Sequence, residues 1–145
     1  MRAQIVAAIV AALNSGTPGG VPATEASRTF AGDEAALPSI LLYPVRESPE
    51  EIHGSGGSVV RAKLLLHLEV RAKGSAGVTA DTAADACLSW IGKTLPKNTF
   101  GGLALNTASG EINWSFEHGE NPVVLAVQEI EVTFQHLAAN PDQRI

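Results

Sequence analysis

The sequence predicts an α+β fold, a mostly antiparallel sheet with two long strands and two helices packed on one face. Three observations predict it. In the run 58–72, Val60, Ala62, Leu64, Leu66, Leu68 and Val70 alternate with Arg61, Lys63, His67, Glu69 and Arg71, and Leu65 alone breaks the pattern. Successive strand side chains point to opposite faces, so this run is a strand with one apolar and one charged face. A second long strand is read over 123–136, and the segments 2–13 and 80–95 carry apolar residues at helical spacing. At ~3.3 Å per residue, the strand from Val59 to Arg71 reaches roughly 43 Å. Ordinary strands hold about 5–6 residues, so part of this one should project beyond its own core.

In chain order, Ile5, Val6, Ile9, Val10 and Leu13 form the stripe of an opening helix. Asn14-Ser15-Gly16 should end it, with Gly16 supplying a left-handed cap. Residues 15–26 read as a flexible loop, rich in Gly and Pro. A short strand follows at Ser27 to Phe30 and a turn at Gly32-Asp33-Glu34. Ile40 to Tyr43 is apolar on both faces and belongs inside the sheet, with Pro44 marking its end. Residues 47–58, polar and glycine-rich, read as a mobile loop leading into the long strand.

After a turn at 72–77, Thr79 is the expected N-cap of the second helix, and Asp81 suits its positive end. Ala84, Cys87, Leu88, Ile91 and Leu95 form its buried stripe, and Pro96 stops it. Residues 98–110 read as loop. Ile112, Trp114 and Phe116 then alternate with polar residues as a strand, and 118–122 is a turn. In the closing strand, Val123, Leu125 and Val127 share one parity, while Ile130, Val132 and Phe134 share the other. Either a β-bulge near Gln128 and Glu129 reconciles them, or 123–127 is buried on both faces. Residues 137–145 form a polar tail. The order is α-β-β-β-α-β-β in one domain, 1–145, a length that fits a single core.

Composition narrows the function. Apolar residues make up 45% of the 145, enough for a real core. A net charge of −5 and a pI near 5.3 argue against bulk electrostatic attachment to nucleic acid. Arg2 before the apolar run 5–13 has the ingredients of a secretion signal, but that run is short and an amphipathic helix is the better reading. No stretch is apolar for the ~18–20 residues of a membrane span. The single cysteine, Cys87, allows no internal disulfide and lies on an apolar helix face.

Chemical motifs are sparse. His53, His67, His118 and His136 lack metal-ligand spacing, and no cofactor is expected. The glycine-rich segments 16–20 and 54–57 lack the lysine of a phosphate loop. Glu47, Glu50 and Glu51 read as a solvated acidic loop. More informative are the charges on the long strands: Arg61, Lys63 and Arg71 on one, Glu129 and Glu131 on the other. They pair across strands within the chain, or meet across subunits and set register, or simply face water. Trp90 and Trp114 anchor either core or interface, with core the better reading.

The opening helix Arg2 to Leu13, Leu37-Pro38-Ser39-Ile40-Leu41-Leu42-Tyr43, the strand Val59 to Arg71, the helix 80–95 and the closing strand Val123 to Gln135 together resemble a known family. The chain is similar to the tail terminator (tail completion) proteins of long-tailed bacteriophages. The resemblance implies a structural virion protein without catalysis. Such proteins form a hexameric ring on the head-proximal end of the tail tube and stop its polymerisation. Their partners are further copies, the tail-tube protein and the head–tail connector, and DNA passes through the lumen without specific binding. Assembly would take place in the host bacterial cytoplasm and the product would lie in the virion neck, with no membrane partner. For this chain the candidate contact residues are Glu50, Glu51, Arg61, Lys63, Arg71, Glu129 and Glu131, helped by residues 47–58. The rival readings are another head–tail connector or tail-tube subunit, and a small ligand-binding or enzymatic α+β domain, which would need a deep apolar pocket.

Overall fold

In a computed structural model of the chain, residues 1–18, 21–25, 39–54, 57–74, 79–117 and 123–138 are described. The elements are α1 (Arg2–Asn14), β1 (Ala23–Glu25), β2 (Ser39–Gly54), β3 (Gly57–Lys73), α2 (Ala80–Thr94), β4 (Asn106–Glu117) and β5 (Val123–Leu137). They make one five-stranded sheet in the order β1-β2-β3-β5-β4. Only β1 and β2 run parallel; the other three pairings are antiparallel. The α-β-β-β-α-β-β order of the sequence reading therefore holds. Its first strand lies at Ala23–Glu25, and the strand expected at Ser27 to Phe30 falls outside the described residues, as does the turn at 32–34.

Alternation decides which face is covered. On β3, Ala62, Leu64, Leu66, Leu68, Val70 and Ala72 are all buried, and on β5 so are Val124, Ala126, Gln128, Ile130, Val132 and Phe134. Both helices pack on this side. α1 buries Ile5, Val6, Ile9 and Leu13, and α2 buries Ala80, Ala84, Cys87, Leu88 and Ile91. A thirteen-residue helix is marginal alone. Each fully buried aliphatic side chain contributes roughly 1.5–3 kcal/mol, so burial of the stripe holds α1 in place. The indole Nε1 of Trp90 donates to the Leu13 carbonyl at 3.0 Å and ties the two helices together. Thr79 caps α2 by accepting from the Thr82 amide at 3.4 Å. Among the described residues, the second face carries no helix.

Several local expectations give way to pairing. Pro44 does not end its strand: β2 continues to Gly54, and the register shifts between Pro44 and Arg46. Proline is tolerated there because β1 pairs only with residues 40–42, which leaves the rest of that edge without a ladder partner among the described residues. Residues 47–54 and 57–58, expected as a mobile loop, are instead the outer half of a β2–β3 hairpin. Within the expected loop 15–26, Ala23–Glu25 is strand. The Asn14 side chain holds it, accepting from the Ala23 amide at 2.8 Å and donating to the Ala23 carbonyl at 2.9 Å. Gly16 is not left-handed. It is needed for close approach, since a Cβ there would lie 3.1 Å from the Trp90 ring. The 98–110 loop is shorter than expected, because β4 begins at Asn106.

No bulge interrupts β5, whose burial alternates from Val123 to Phe134. Half-burial of Val123, Leu125 and Val127 opposite buried Val124 and Ala126 supports the two-faced reading of 123–127. The irregularity sits in the partner strand β4, between Ser109 and Ile112. Beyond Ala138, the tail expected over 137–145 lies outside the described residues; Leu137 closes β5, and the Ala138 amide donates to the Ser58 carbonyl at 3.1 Å.

Candidate interaction surfaces

The bulge in β2 sorts its charges between the two faces. Before it, Leu41 and Tyr43 pair with Glu69 and His67 on the open face; after it, Arg46, Ser48 and Glu50 take that face, opposite Leu65, Lys63 and Arg61. Glu47 thereby turns toward the helices and makes a bidentate contact with Arg2 of α1, at 3.0 and 2.9 Å. This bond and the Glu47 charge hold the Arg2 guanidinium above its ordinary range, against the opposing effect of burial. The contact fastens the base of the hairpin to the helix layer. Outward of it, Ser48, Pro49, Glu50, Glu51 and Arg61 are exposed, and no residue beyond Ala62 belongs to the core. The outer hairpin is an arm, flanked on its β3 side by β5 as far as Val59 opposite Leu137.

The open face collects six of the seven candidate residues. Glu50, Arg61, Lys63, Arg71, Glu129 and Glu131 all lie on it by register, while Glu51, opposite Val60, is on the helix side of the arm. Their pairing differs from the expected cross-strand ladder. Arg61, Lys63 and Arg71 stand opposite Gln135, Thr133 and Leu125 of β5, so register separates them from Glu129 and Glu131. Glu129 instead meets His67, Nε2 to Oε1 3.7 Å, and Arg71 meets Glu69 of its own strand at 3.4 Å. Glu50 and Arg61 are direct cross-strand neighbours, yet neither they nor Glu51, Lys63 and Glu131 form an ion pair with another described residue.

At the middle of this face, the Tyr43 hydroxyl donates to Glu69 Oε1 at 2.8 Å. Burial first, and then the bond to Glu69 and its charge, push the Tyr43 pKa up to about 12. The His67 ring sits edge-on to Tyr43, centroids 5.6 Å apart. Beside them is a groove of about 190 Å³ lined by Leu65, Ala108, Ser109, Gly110, Glu129 and Glu131. Gly110 allows its walls to close up, since a Cβ there would fall 3.1 Å from the Glu129 side chain. A larger groove, about 280 Å³, opens at the start of α1 between Arg2, Glu47, Phe134 and His136.

Neither a protein-family model nor a curated protein matches this chain.

The aromatic strand holds what sequence reasoning missed. Ile112, Trp114 and Phe116 pair with Gln128, Ala126 and Val124, which places them on the helix side of the sheet. They nevertheless remain 42%, 42% and 56% exposed. β4 is an edge strand and the core cluster stops at β5, so Trp114 is not a core anchor as expected. Trp114 and Phe116 stack on each other, centroids 6.4 Å apart and rings 10° from parallel. Trp90, by contrast, is partly buried against the core. An alternating aromatic pattern looks the same in a central and an edge strand, and no signal within 112–116 distinguishes them.

Elsewhere the described residues offer little reactive chemistry. Burial pushes the Cys87 thiol up from its ordinary value, and it is 1% exposed. No group of three or more His, Cys, Asp or Glu among the described residues is arranged to hold a metal ion. None of the described helices is long and apolar enough to cross a membrane. Charges spread over one face of a sheet, with an arm at one end and an aromatic edge, are suited to fixing orientation against another macromolecular surface.

Proposed function

We propose that this protein is a structural virion subunit of the tail terminator type, one that assembles as a ring, hexameric in this family, on the head-proximal end of a phage tail tube. The ring ends tube polymerisation and offers the surface that joins the head–tail connector, with DNA passing through its lumen. The observation that carries the reading is the β2–β3 arm. Strands of 16 and 17 residues are about three times the ordinary length, and outward of Ala62 the hairpin they form adds no residue to the core. Surface that adds nothing to the fold's own interior is accounted for by contact with other chains. Glu50, Arg61 and Lys63 on that arm, and Glu131 on the open face, form no ion pair with another described residue and supply polar groups to orient such contacts.

Electron microscopy of tail-tube protein polymerising with and without this protein tests the proposal. The expected result is shortened tubes with density on one end only. Tubes of unchanged length with bare ends would refute it, and filaments formed by this protein alone would favour a tail-tube subunit instead.

A further inference from the structure

The helix layer is narrower than the sheet. Neighbouring strands lie ~4.8 Å apart and packed helices roughly 8–10 Å apart, so each helix spans about two strands. α1 packs beside β1, and α2 packs over β3 and β5. Among the described residues no further α-helix continues this layer over β4, the fifth strand. The floor of that place is apolar, since Ile112, Trp114 and Phe116 are exposed on the helix side of β4. Its wall is one flank of α2. Trp90 bonds to the Leu13 carbonyl and so marks the flank toward α1. At about 100° per residue, Asp81, Asp85, Leu88 and Gly92 fall on the other flank, toward β4.

We infer that this slot beside α2 docks a helix of a partner protein, apolar on one face and basic along its margin. The inference is independent of the ring reading above. The slot is one helix wide, and its exposed aromatic floor suits the apolar face of an amphipathic helix. Gly92 lies inside α2, where glycine weakens the helix. A Cβ there would have no described neighbour within 4 Å, so the fold's own packing does not call for glycine, whereas close approach of another helix does. Charge complementarity sets the partner's sign. Both charged residues of the wall, Asp81 and Asp85, are exposed and form no ion pair with another described residue. The helix dipole accounts for Asp81, in the first turn, but not for Asp85 one turn further on. An acidic wall favours a basic partner. Neither helix of a second copy meets that need. The only charge on α1 is Arg2, already held by Glu47, and α2 carries the same aspartates.

Fluorescence anisotropy of the full chain with two labelled synthetic peptides tests this. One is a helix of leucine and lysine, amphipathic by spacing; the other has glutamate in place of every lysine. The wild type should bind the lysine peptide at least roughly tenfold more tightly than the glutamate peptide. W114S/F116S should weaken the lysine peptide roughly thirtyfold, the loss expected of a hot-spot aromatic pair. D85K should weaken it roughly tenfold, while E25K, the same change of charge on β1 at the opposite edge of the sheet, should leave it unchanged. G92A should raise the thermal midpoint, because alanine favours the helix, and yet weaken the peptide. Circular dichroism checks that each exposed substitution leaves the fold intact. Equal affinities of wild type and W114S/F116S, or of D85K and E25K, would overturn the inference. So would absence of binding, the result if the chain's own residues fill the slot. Self-association of the wild type that W114S/F116S abolishes in sedimentation would assign the slot to a second copy and overturn it as well.

Discussion

Gln128 shows how one side chain can disguise a strand. It sits on the buried parity of β5, between Ala126 and Ile130, and is 4% exposed. Its Nε2 donates to the Gly110 carbonyl at 3.0 Å and to the Glu129 carbonyl at 3.1 Å, filling the β4 bulge. In sequence, that polar residue looks like a break in the apolar alternation, and a bulge in β5 is a reasonable inference from it. Replacing Gln128 with Leu removes the bond to the Gly110 carbonyl, which is exposed enough for water to take its place, and should cost about 0.5–1.5 kcal/mol, read from the urea midpoint. Tyr43 makes a second residue-scale prediction. Its pKa rises from 10.0 to about 12 on folding, so the folded state favours the neutral phenol. That stabilisation is fully present below pH 10 and is lost as pH climbs through 10 toward 12. Wild type should lose stability across that window relative to Y43F. Tyr43 is the sole tyrosine, so tyrosinate absorbance should report its midpoint directly.

At the scale of elements, helices were the most legible. α1 and α2 begin where expected and end within a residue of the expected positions, and every residue of the α2 stripe is buried. Helix signals are local, carried by the 3.6-residue spacing and by one cap. T79A should therefore destabilise α2 by about 0.5–1 kcal/mol, the low end for a cap with a long hydrogen bond, as measured by the thermal midpoint. Strand β2 was legible only over its first residues. Pro44, Pro49 and Gly54 are local signals of irregular chain, and they were overruled by fourteen residues' worth of antiparallel partner in β3, from Ser58 to Arg71. β4 was misjudged for a related reason. Its alternation announced a strand, but whether any layer covers that strand depends on α1 and α2 ending their packing at β5.

For the whole molecule, core and arm separate cleanly. The core cluster runs from α1 and α2 across the helix side of the sheet and stops at Ala62 on β3. Replacing residues 51–60 with an Asn-Gly turn closes the hairpin between Glu50 and Arg61, which are already paired. The shortened protein should fold with a loss of about 1 kcal/mol, the net value of hydrogen bonds such as that from the Ala138 amide to the Ser58 carbonyl. It should not cap tubes. Retained capping, scored by electron microscopy, would show that the arm is dispensable and that the long strands serve the fold alone.

The amino-acid sequence by itself determined the α+β class, both helices with their buried faces, the span of β3 and β5, and the clustering of charge along them. Each of these is written in side-chain periodicity within one segment, where chain geometry alone sets which residues share a side. Tertiary structure decided the rest: the continuation of β2 through two prolines, the separation of Arg61 and Lys63 from Glu129 and Glu131, and the exposure of Trp114 and Phe116. Those outcomes depend on register between distant strands and on where the helix layer ends. Both come from the balance of contacts over the whole molecule, which no single segment encodes.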